Sequence, residues 1–475
     1  MTTTHPVLKS AACAALLALA AVGCSGGGDG SGRAETPRRT ATVRASPSAT
    51  AHPFRQVPSS AECRRVLGSA CYTPDLVRTA YGIDRLNSLG LTGEGRTVVV
   101  YEQVVPDTLR RDLETFSQAM KLPKPELTVD RYDPAGRIAP FDPKNSQLAV
   151  TAMETTLDVQ MVHMVAPEAK IVVTQIGLPA AVYRPGPSPS GTPEPTPDEE
   201  AARQAADGAA VGAGLILDGI ADSLNRHHPD AISISFGVEE YTAAGNSGRP
   251  AQNLARFSGV LAQIVAGGVS LVASAGDSGA APPIGPHGER VKSVSWPASD
   301  PSVLSLGASR LHLDDQGRRT GPDTVWHDQY GATGGGPSQT FTRPAYQDGV
   351  EDRVGGRRGT PDICMDGSAS GGTLIYQGFL PAGPGWVPVG GTSEAAPMFA
   401  AVIALADQKA GRRLGAVHGP MYGLQNDPSG GVIDITVGNN GPDGYQAVKG
   451  YDMASGLGTI DASAFVPKLA ATATG

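Results

Sequence analysis

An α/β fold, with a mainly parallel central sheet covered by helices on both faces, follows from three features of the chain. Apolar runs of strand length alternate with stretches of helical spacing from residue 72 onward, the pattern of strands buried on both faces. Gly 61 and Pro 39 among 475 residues exclude a coiled coil or helical bundle, whose interiors reject both. Hydrophobic residues nevertheless make up 40% and recur in compact runs, so the chain has the material for a large core. The net charge is −8, and no basic tract is interleaved with aromatics, which argues against a nucleic-acid partner. Five cysteines are too few for a disulfide scaffold and wrongly spaced for a zinc site.

Residues 1–23 read as an export signal: His5 and Lys9 precede an apolar stretch, 11–22, too short to span a bilayer as a stable helix. The ending Ala21-Val22-Gly23-Cys24 resembles a bacterial lipobox, which would make Cys24 the lipidated mature N-terminus. An ordinary secretory signal cut nearby is the other reading, and both place the protein outside the cytoplasm, anchored to the cell membrane or secreted. Residues 25–60 are rich in Gly, Ser, Thr, Ala and Pro and read as a disordered tether. The folded domain is expected over 61–475. In an oxidising compartment Cys63 and Cys71 can close a small loop, leaving Cys364 free, although Cys364 could take either as partner.

Strands are expected at 97–101, 170–174, 231–236 and 269–274, and helices at 107–120, 147–165, 199–226 and 252–266. Active groups in such a fold gather at the carboxyl ends of the strands. The Pro/Gly/Ser/Thr stretch at about 183–197 reads as a surface insertion.

Three strings carry chemistry. In Gly390-Gly391-Thr392-Ser393-Glu394-Ala395-Ala396-Pro397, glycines and an Ala-rich run place Ser393 where a loop enters a helix, beside free N–H groups that favour negative charge. A helix cap is the plainer role for such a serine. No Asp-Ser/Thr-Gly or His-Gly-Thr-His supplies a histidine base. Instead the helix at 147–165 carries Glu154 and Asp158, four apart and therefore on one face, in an apolar setting of Met153, Leu157, Met161 and Val162. Held close, the pair shares protons and can accept one from Ser393; the alternative is a solvated acidic face. Asp277, in Ser274-Ala275-Gly276-Asp277-Ser278-Gly279 after an apolar strand, can point into the crevice and, protonated, donate to an oxyanion. A turn cap is its commoner role.

Taken together, these strings resemble the sedolisins, or serine-carboxyl peptidases, relatives of subtilisin that use Glu and Asp in place of His. The likeness runs in order over about 72–475. It includes Tyr72-Thr73-Pro74-Asp75-Leu76, Ala166-Pro167-Glu168-Ala169, Ser233-Ile234-Ser235-Phe236-Gly237, Trp296-Pro297-Ala298-Ser299-Asp300-Pro301 and Gly334-Gly335-Gly336. The resemblance implies a subtilisin-like three-layer fold and peptide-bond hydrolysis at acidic pH by a Ser-Glu-Asp triad acting on polypeptide substrates. Ser393 is then the nucleophile, Glu154 its base, Asp158 the supporting acid and Asp277 the oxyanion-hole acid. Glu102 stands where family members place an extra carboxylate bonded to the dyad, and Phe236 where some carry Trp. The resemblance also implies one structural Ca²⁺, with Asp434 and Asp452 as side-chain ligands and Ile435, Val448 and Gly450 offering carbonyls; such hard oxygens suit the ion. Val448 replaces the usual Gly, which leaves its carbonyl in place. Sedolisins carry a long N-terminal prodomain, whereas only the tether and a short lead separate Cys24 from the catalytic region. The expected protein is a monomer. Two other readings are a catalytically inactive, sedolisin-like binding lipoprotein and a histidine-based enzyme, for which His163 sits on the dyad's helix but off its face.

Overall fold

Val98, Val99 and Val100 are all fully buried, and alternate members of this run face opposite sides of the sheet. Val98 and Val100 join one hydrophobic core, Val99 and Tyr101 the other. Burial of each such side chain stabilises the fold by roughly 1.5–3 kcal/mol, which explains why an uninterrupted apolar run settles at the centre of the molecule. The computed structural model describes residues 54–472 apart from 135, 139, 178–196, 247 and 285–287.

The central sheet contains β1 (Thr97–Glu102), β2 (Glu126–Tyr132), β3 (Lys170–Ile176), β4 (Ala231–Ile234), β5 (Ser270–Ser274), β6 (Leu304–Arg310), β7 (Thr324–Val325) and β8 (Ile363–Asp366). Its order is β8-β6-β5-β4-β1-β3-β2, every pair parallel, with β7 antiparallel on β6. The principal helices are α1 (Leu109–Ala119), α2 (Ser146–Val165), α3 (Pro197–His227), α4 (Ser258–Ala266), α5 (Thr392–Ala410) and α6 (Ala462–Thr472). Side chains of α1, α2, α5 and α6 fill the first core, among them Phe116, Val162, Phe399 and Phe465. Side chains of α3 and α4, including Ile220 and Leu261, fill the second. This is a subtilisin-like three-layer α/β fold with a mainly parallel sheet between two helical layers.

The chain leaving β1 turns into α1 on the first face, and the chain leaving the adjacent β4 runs to α4 on the second. Strand connections that diverge to opposite faces open a crevice at the carboxyl ends between them. Glu102 ends β1 and Ser235 follows β4, so both stand at that crevice. α2 is buried on almost every side from Thr151 onward, and α5 packs directly along it.

Four expectations change. The domain begins at Phe54, not at 61, because Phe54 pairs its backbone with Trp386 and packs on the first core. The helix expected over 252–266 divides into Gln252–Ala255 and α4; the break at Arg256-Phe257 brings the Phe257 ring to 6.2 Å from that of Trp296. β4 ends at Ile234, freeing Ser235 and Phe236 from the ladder. The sheet also gains β2, β6, β7 and β8, whose apolar content is mixed with Ser, Gly and charged residues. Cys63 and Cys71 are joined by a disulfide and Cys364 is a buried free thiol. The export signal, Cys24, the tether as far as residue 53 and the insertion as far as residue 196 lie outside the described residues. No helix among the described residues is long and apolar enough to cross a membrane.

Candidate active site

Ser393 is the second residue of α5, and the cap is Gly391, whose φ of 121° lies in the region that favours glycine. Its backbone N–H falls in the first turn, where the helix supplies no acceptor. Ser393 Oγ donates to the Ser235 carbonyl at 3.3 Å, and the residue is only 4% exposed. Pro397 lies four residues on and has no N–H, so the helix cannot use the Ser393 carbonyl. That carbonyl instead faces the Ser235 hydroxyl at 3.5 Å.

On α2, Glu154 and Asp158 are both buried, which removes the solvated-face reading. Burial pushes the Glu154 carboxyl well above the usual carboxylate range, the Asp158 charge pushes the same way, and the Ser393 hydroxyl, hydrogen-bonded to it, pulls back. Asp158 is likewise raised, by burial first and by Glu102 second, while Ser235 opposes. Ser235 Oγ donates to Asp158 Oδ2 at 2.7 Å. Glu102 is raised by burial and by the Glu154 charge, and Thr155 and Asp158 hydrogen-bond to it. Glu154 Oε1, Asp158 Oδ1 and Glu102 Oε1 are buried with no donor. Three carboxyls in so dry a site cannot all ionise, so they hold protons in common and titrate as a unit.

Asp277 follows β5 in a turn whose Gly276 has φ 101°. Its Oδ1 accepts the Thr392 backbone N–H at 2.8 Å and the Thr392 hydroxyl at 2.7 Å. Its Oδ2 is buried without a donor and would lie 2.8 Å from a Cβ on Gly391. Burial raises Asp277 to about 6 against the pull of Thr392. In mild acid, Oδ2 therefore carries a proton beside the start of α5. Ser393, Glu154, Asp158, Asp277 and Glu102 thus converge from three elements and one turn on a single buried crevice.

His163 is elsewhere. Its Nε2 lies 3.1 Å from Ser117 Oγ on α1, and burial depresses it to about 4. Three residues without an assigned role in the sequence reading touch the acids: Ser235, Thr155 and Thr392. Thr392 stands next to Ser393 in the Gly-Thr-Ser string, which was a usable signal; the hydroxyls of Ser235 and Thr155 lie within apolar runs and had none.

Toward the C-terminus, Asp452 Oδ2 accepts the Val448 N–H and Asp434 Oδ2 the Gly450 N–H, both at 2.9 Å. The two carboxylates therefore hold one turn, with Ile435 buried beside it. Two carboxylates and irregular backbone carbonyls are a donor set that fits Ca²⁺. Among the described residues no group of three or more His, Cys, Asp and Glu could hold a metal.

The profile of the subtilase family matches residues 135–417. Kumamolisin of Bacillus sp. (strain MN-32) is 32% identical over 405 residues, which is 82% of this chain and 62% of kumamolisin. The chain belongs to the subtilase family, in its sedolisin branch. Sedolisin of Pseudomonas sp. (strain 101) is 35% identical over 178 residues, 36% of this chain and 29% of that protein. The solved structure of Pseudomonas sedolisin complexed with two molecules of pseudo-iodotyrostatin superposes with a TM-score of 0.66 at 24% identity, covering 85% of this chain and 98% of that one. This sedolisin-family chain spans less than two thirds of the length of the curated relatives named here.

Proposed function

We propose that the protein is a serine peptidase that hydrolyses peptide bonds through an acyl-enzyme at acidic pH, with Ser393 as nucleophile, Glu154 as base, Asp158 as supporting acid and Asp277 as oxyanion acid. One arrangement carries this reading: Ser393, its Oγ resting on the Ser235 carbonyl at 3.3 Å, shares a buried crevice with the Glu154 carboxyl, whose proton affinity it lowers, and with Asp277, which is bonded to the neighbouring Thr392. Glu154 takes the Ser393 proton as Oγ attacks the substrate carbonyl carbon. The oxyanion receives hydrogen bonds from the Ser393 N–H and from protonated Asp277 Oδ2. Collapse expels the amine, which takes the proton from Glu154, and the acyl group stays on Oγ. Water then loses a proton to Glu154, attacks the ester, and Ser393 is regenerated. Asp158 and Glu102 hold the remaining protons of the carboxyl cluster and orient Glu154.

Family membership supports polypeptide substrates. The export signal over 1–23 and the lipobox-like Cys24 support a protein outside the cytoplasm, held on the cell membrane by a lipid with residues 25–53 as tether, or secreted. Ca²⁺, held by Asp434, Asp452 and the carbonyls of Ile435, Val448 and Gly450, would cross-link the turn at 448–450 and has no part in the reaction.

Ser393→Ala is expected to abolish hydrolysis of a casein or peptide substrate at pH 4 and to leave the thermal midpoint unchanged. Labelling of Ser393 by a peptide aldehyde is expected in the wild type only. Equal hydrolysis by the two proteins removes the assignment, and a wild type that neither turns over nor labels leaves a binding protein.

A further inference from the structure

Ser235 touches both partners of the reaction and is neither nucleophile nor base. Its hydroxyl has a single proton and two acceptors in view, Asp158 Oδ2 at 2.7 Å and the Ser393 carbonyl at 3.5 Å. The shorter contact has the length of a strong bond to a carboxylate, and the longer is at the limit of a hydrogen bond. The proton therefore goes to Asp158. A hydroxyl that donates to Oδ2 makes Oδ2 the unprotonated oxygen.

Any acid proton on Asp158 must then sit on Oδ1, which is buried and has no donor. The carboxyl hydrogen-bonded to Asp158 from β1 is Glu102, whose Oε1 is also donorless. Glu102 is held less exclusively, because Thr155 Oγ1, which has one proton to donate, lies 3.0 Å from Glu102 Oε2 and 2.6 Å from the Val104 carbonyl. A single proton held between Asp158 and Glu102 gives the hydrogen-bonded pair of carboxyls one donor.

We propose that the Ser235 hydroxyl is a positioning group for catalysis: by occupying Asp158 Oδ2 it confines the acid proton of Asp158 to the side of Glu102 and leaves Glu154 as the carboxyl that receives the Ser393 proton. This deepens the peptidase reading and rests on it. The charged and titratable groups facing the site are Glu102 from β1, Glu154 from the same helix as Asp158, and Asp277 from the turn after β5. The Ser235 bond favours ionised Asp158, so removing it raises the proton affinity of the cluster. The active, partly ionised form then appears at a higher pH.

The test compares wild type, Ser235→Ala and Ser235→Cys, the latter filling the same space with a weak donor. Each is assayed for kcat and KM on one peptide from pH 3 to 7, with near-ultraviolet circular dichroism on the same samples. The loss of a hydrogen bond to a charged group predicts a fall in kcat of about 10- to 100-fold, KM within about twofold, and an acid limb displaced to higher pH. A folded variant with the kcat and limb of the wild type overturns the proposal. So does a loss of activity with the limb unmoved, or one that matches the fraction unfolded, since either is what a structural serine would give. A wild type without Ser393-dependent turnover fails the peptidase reading itself, which separates the two failures.

Discussion

Asp277 Oδ1 accepts both hydrogens that Thr392 offers, the backbone N–H at 2.8 Å and the hydroxyl at 2.7 Å, and this leaves Oδ2 alone unbonded, beside Gly391. The carboxyl is held in one orientation, so its acid proton can occupy only Oδ2. Asp277 is protonated below about 6 and loses the proton above it. Turnover that needs an Oδ2–H donor must therefore fall as pH rises through about 6. In Asp277→Asn the same Thr392 bonds fix the amide oxygen and leave Nδ2 as a donor at every pH. The expected outcome is a kcat profile in which the fall near pH 6 has disappeared, whereas Asp277→Ala loses about 10²- to 10³-fold in kcat at all pH values. Initial-rate measurements from pH 3 to 8 decide it; an unchanged alkaline limb in Asp277→Asn removes the oxyanion role.

Gly391 shows why the loop before Ser393 must be bare. Its φ is 121°, and a Cβ there would come within 2.8 Å of Asp277 Oδ2. Gly391→Ala meets two penalties, a conformation that side chains rarely adopt and a clash with the oxygen that must point at the substrate. A destabilisation of about 1–3 kcal/mol is expected from the backbone alone. Activity should fall further than stability, because the clash displaces Asp277. Urea denaturation and kcat on the same preparation test this, and a variant that keeps full turnover while losing stability would show that Asp277 does not need its observed position.

The fold was legible where the chemistry is uniform. The apolar runs around Val99, Val172, Ile232 and Leu271 can only be buried strands, and helices of the right length separate them. β6 and β8 were not, since Ser305, Gly307 and Ser309, or Cys364 and Asp366, interrupt their apolar character while lying fully buried. The acids of the crevice could be placed because a carboxylate pair at i, i+4 and a Gly-Thr-Ser turn are unusual on apolar elements. Their mutual arrangement could not, since the hydroxyls of Ser235 and Thr155 that orient Asp158 and Glu102 carry no charge and leave no pattern within their apolar runs. The end of the tether was misplaced for a similar reason: Phe54 is one large side chain in a polar stretch, and its partner Trp386 is far away in sequence.

The raised affinity of Asp277 for its proton also has a consequence for stability. Between the ordinary carboxylate value of 3.8 and about 6 the folded state binds a proton at this site that the unfolded chain has released. Stability from this group is thus full below the lower value and is lost as pH rises through the upper one. The shift corresponds to about 3 kcal/mol as an upper figure. His163 and His418, depressed to about 4 by burial, act oppositely over much of the same range, so the whole-protein curve mixes the two. The difference between wild type and Asp277→Asn isolates the carboxyl. The wild type is expected to lose stability relative to the variant between pH 4 and pH 6.5, measured by guanidinium midpoints. A difference that stays flat with pH would show that Asp277 titrates at an ordinary value.

At the C-terminal turn, Asp434 is exposed and contributes a single bond to the Gly450 N–H, while Asp452 is buried and raised by that burial. Both carboxylates bond the same turn, and a carboxylate that is buried, as Asp452 is, gains from a nearby cation. If Ca²⁺ supplies that charge, it binds the folded state alone and stabilises it by mass action, about 2.7 kcal/mol at a hundredfold excess over Kd. Chelation with EGTA at pH 6 should then lower the thermal midpoint, added Ca²⁺ should restore it, and Mg²⁺ should not, since it resists dehydration. Asp434→Asn is the informative variant, because an amide keeps an acceptor for Gly450 and removes one charge. It should fold with a midpoint close to that of the chelated wild type and respond weakly to Ca²⁺. Identical melting of the wild type with EGTA and with Ca²⁺, checked by direct titration calorimetry, would leave the two aspartates as turn-holding residues only.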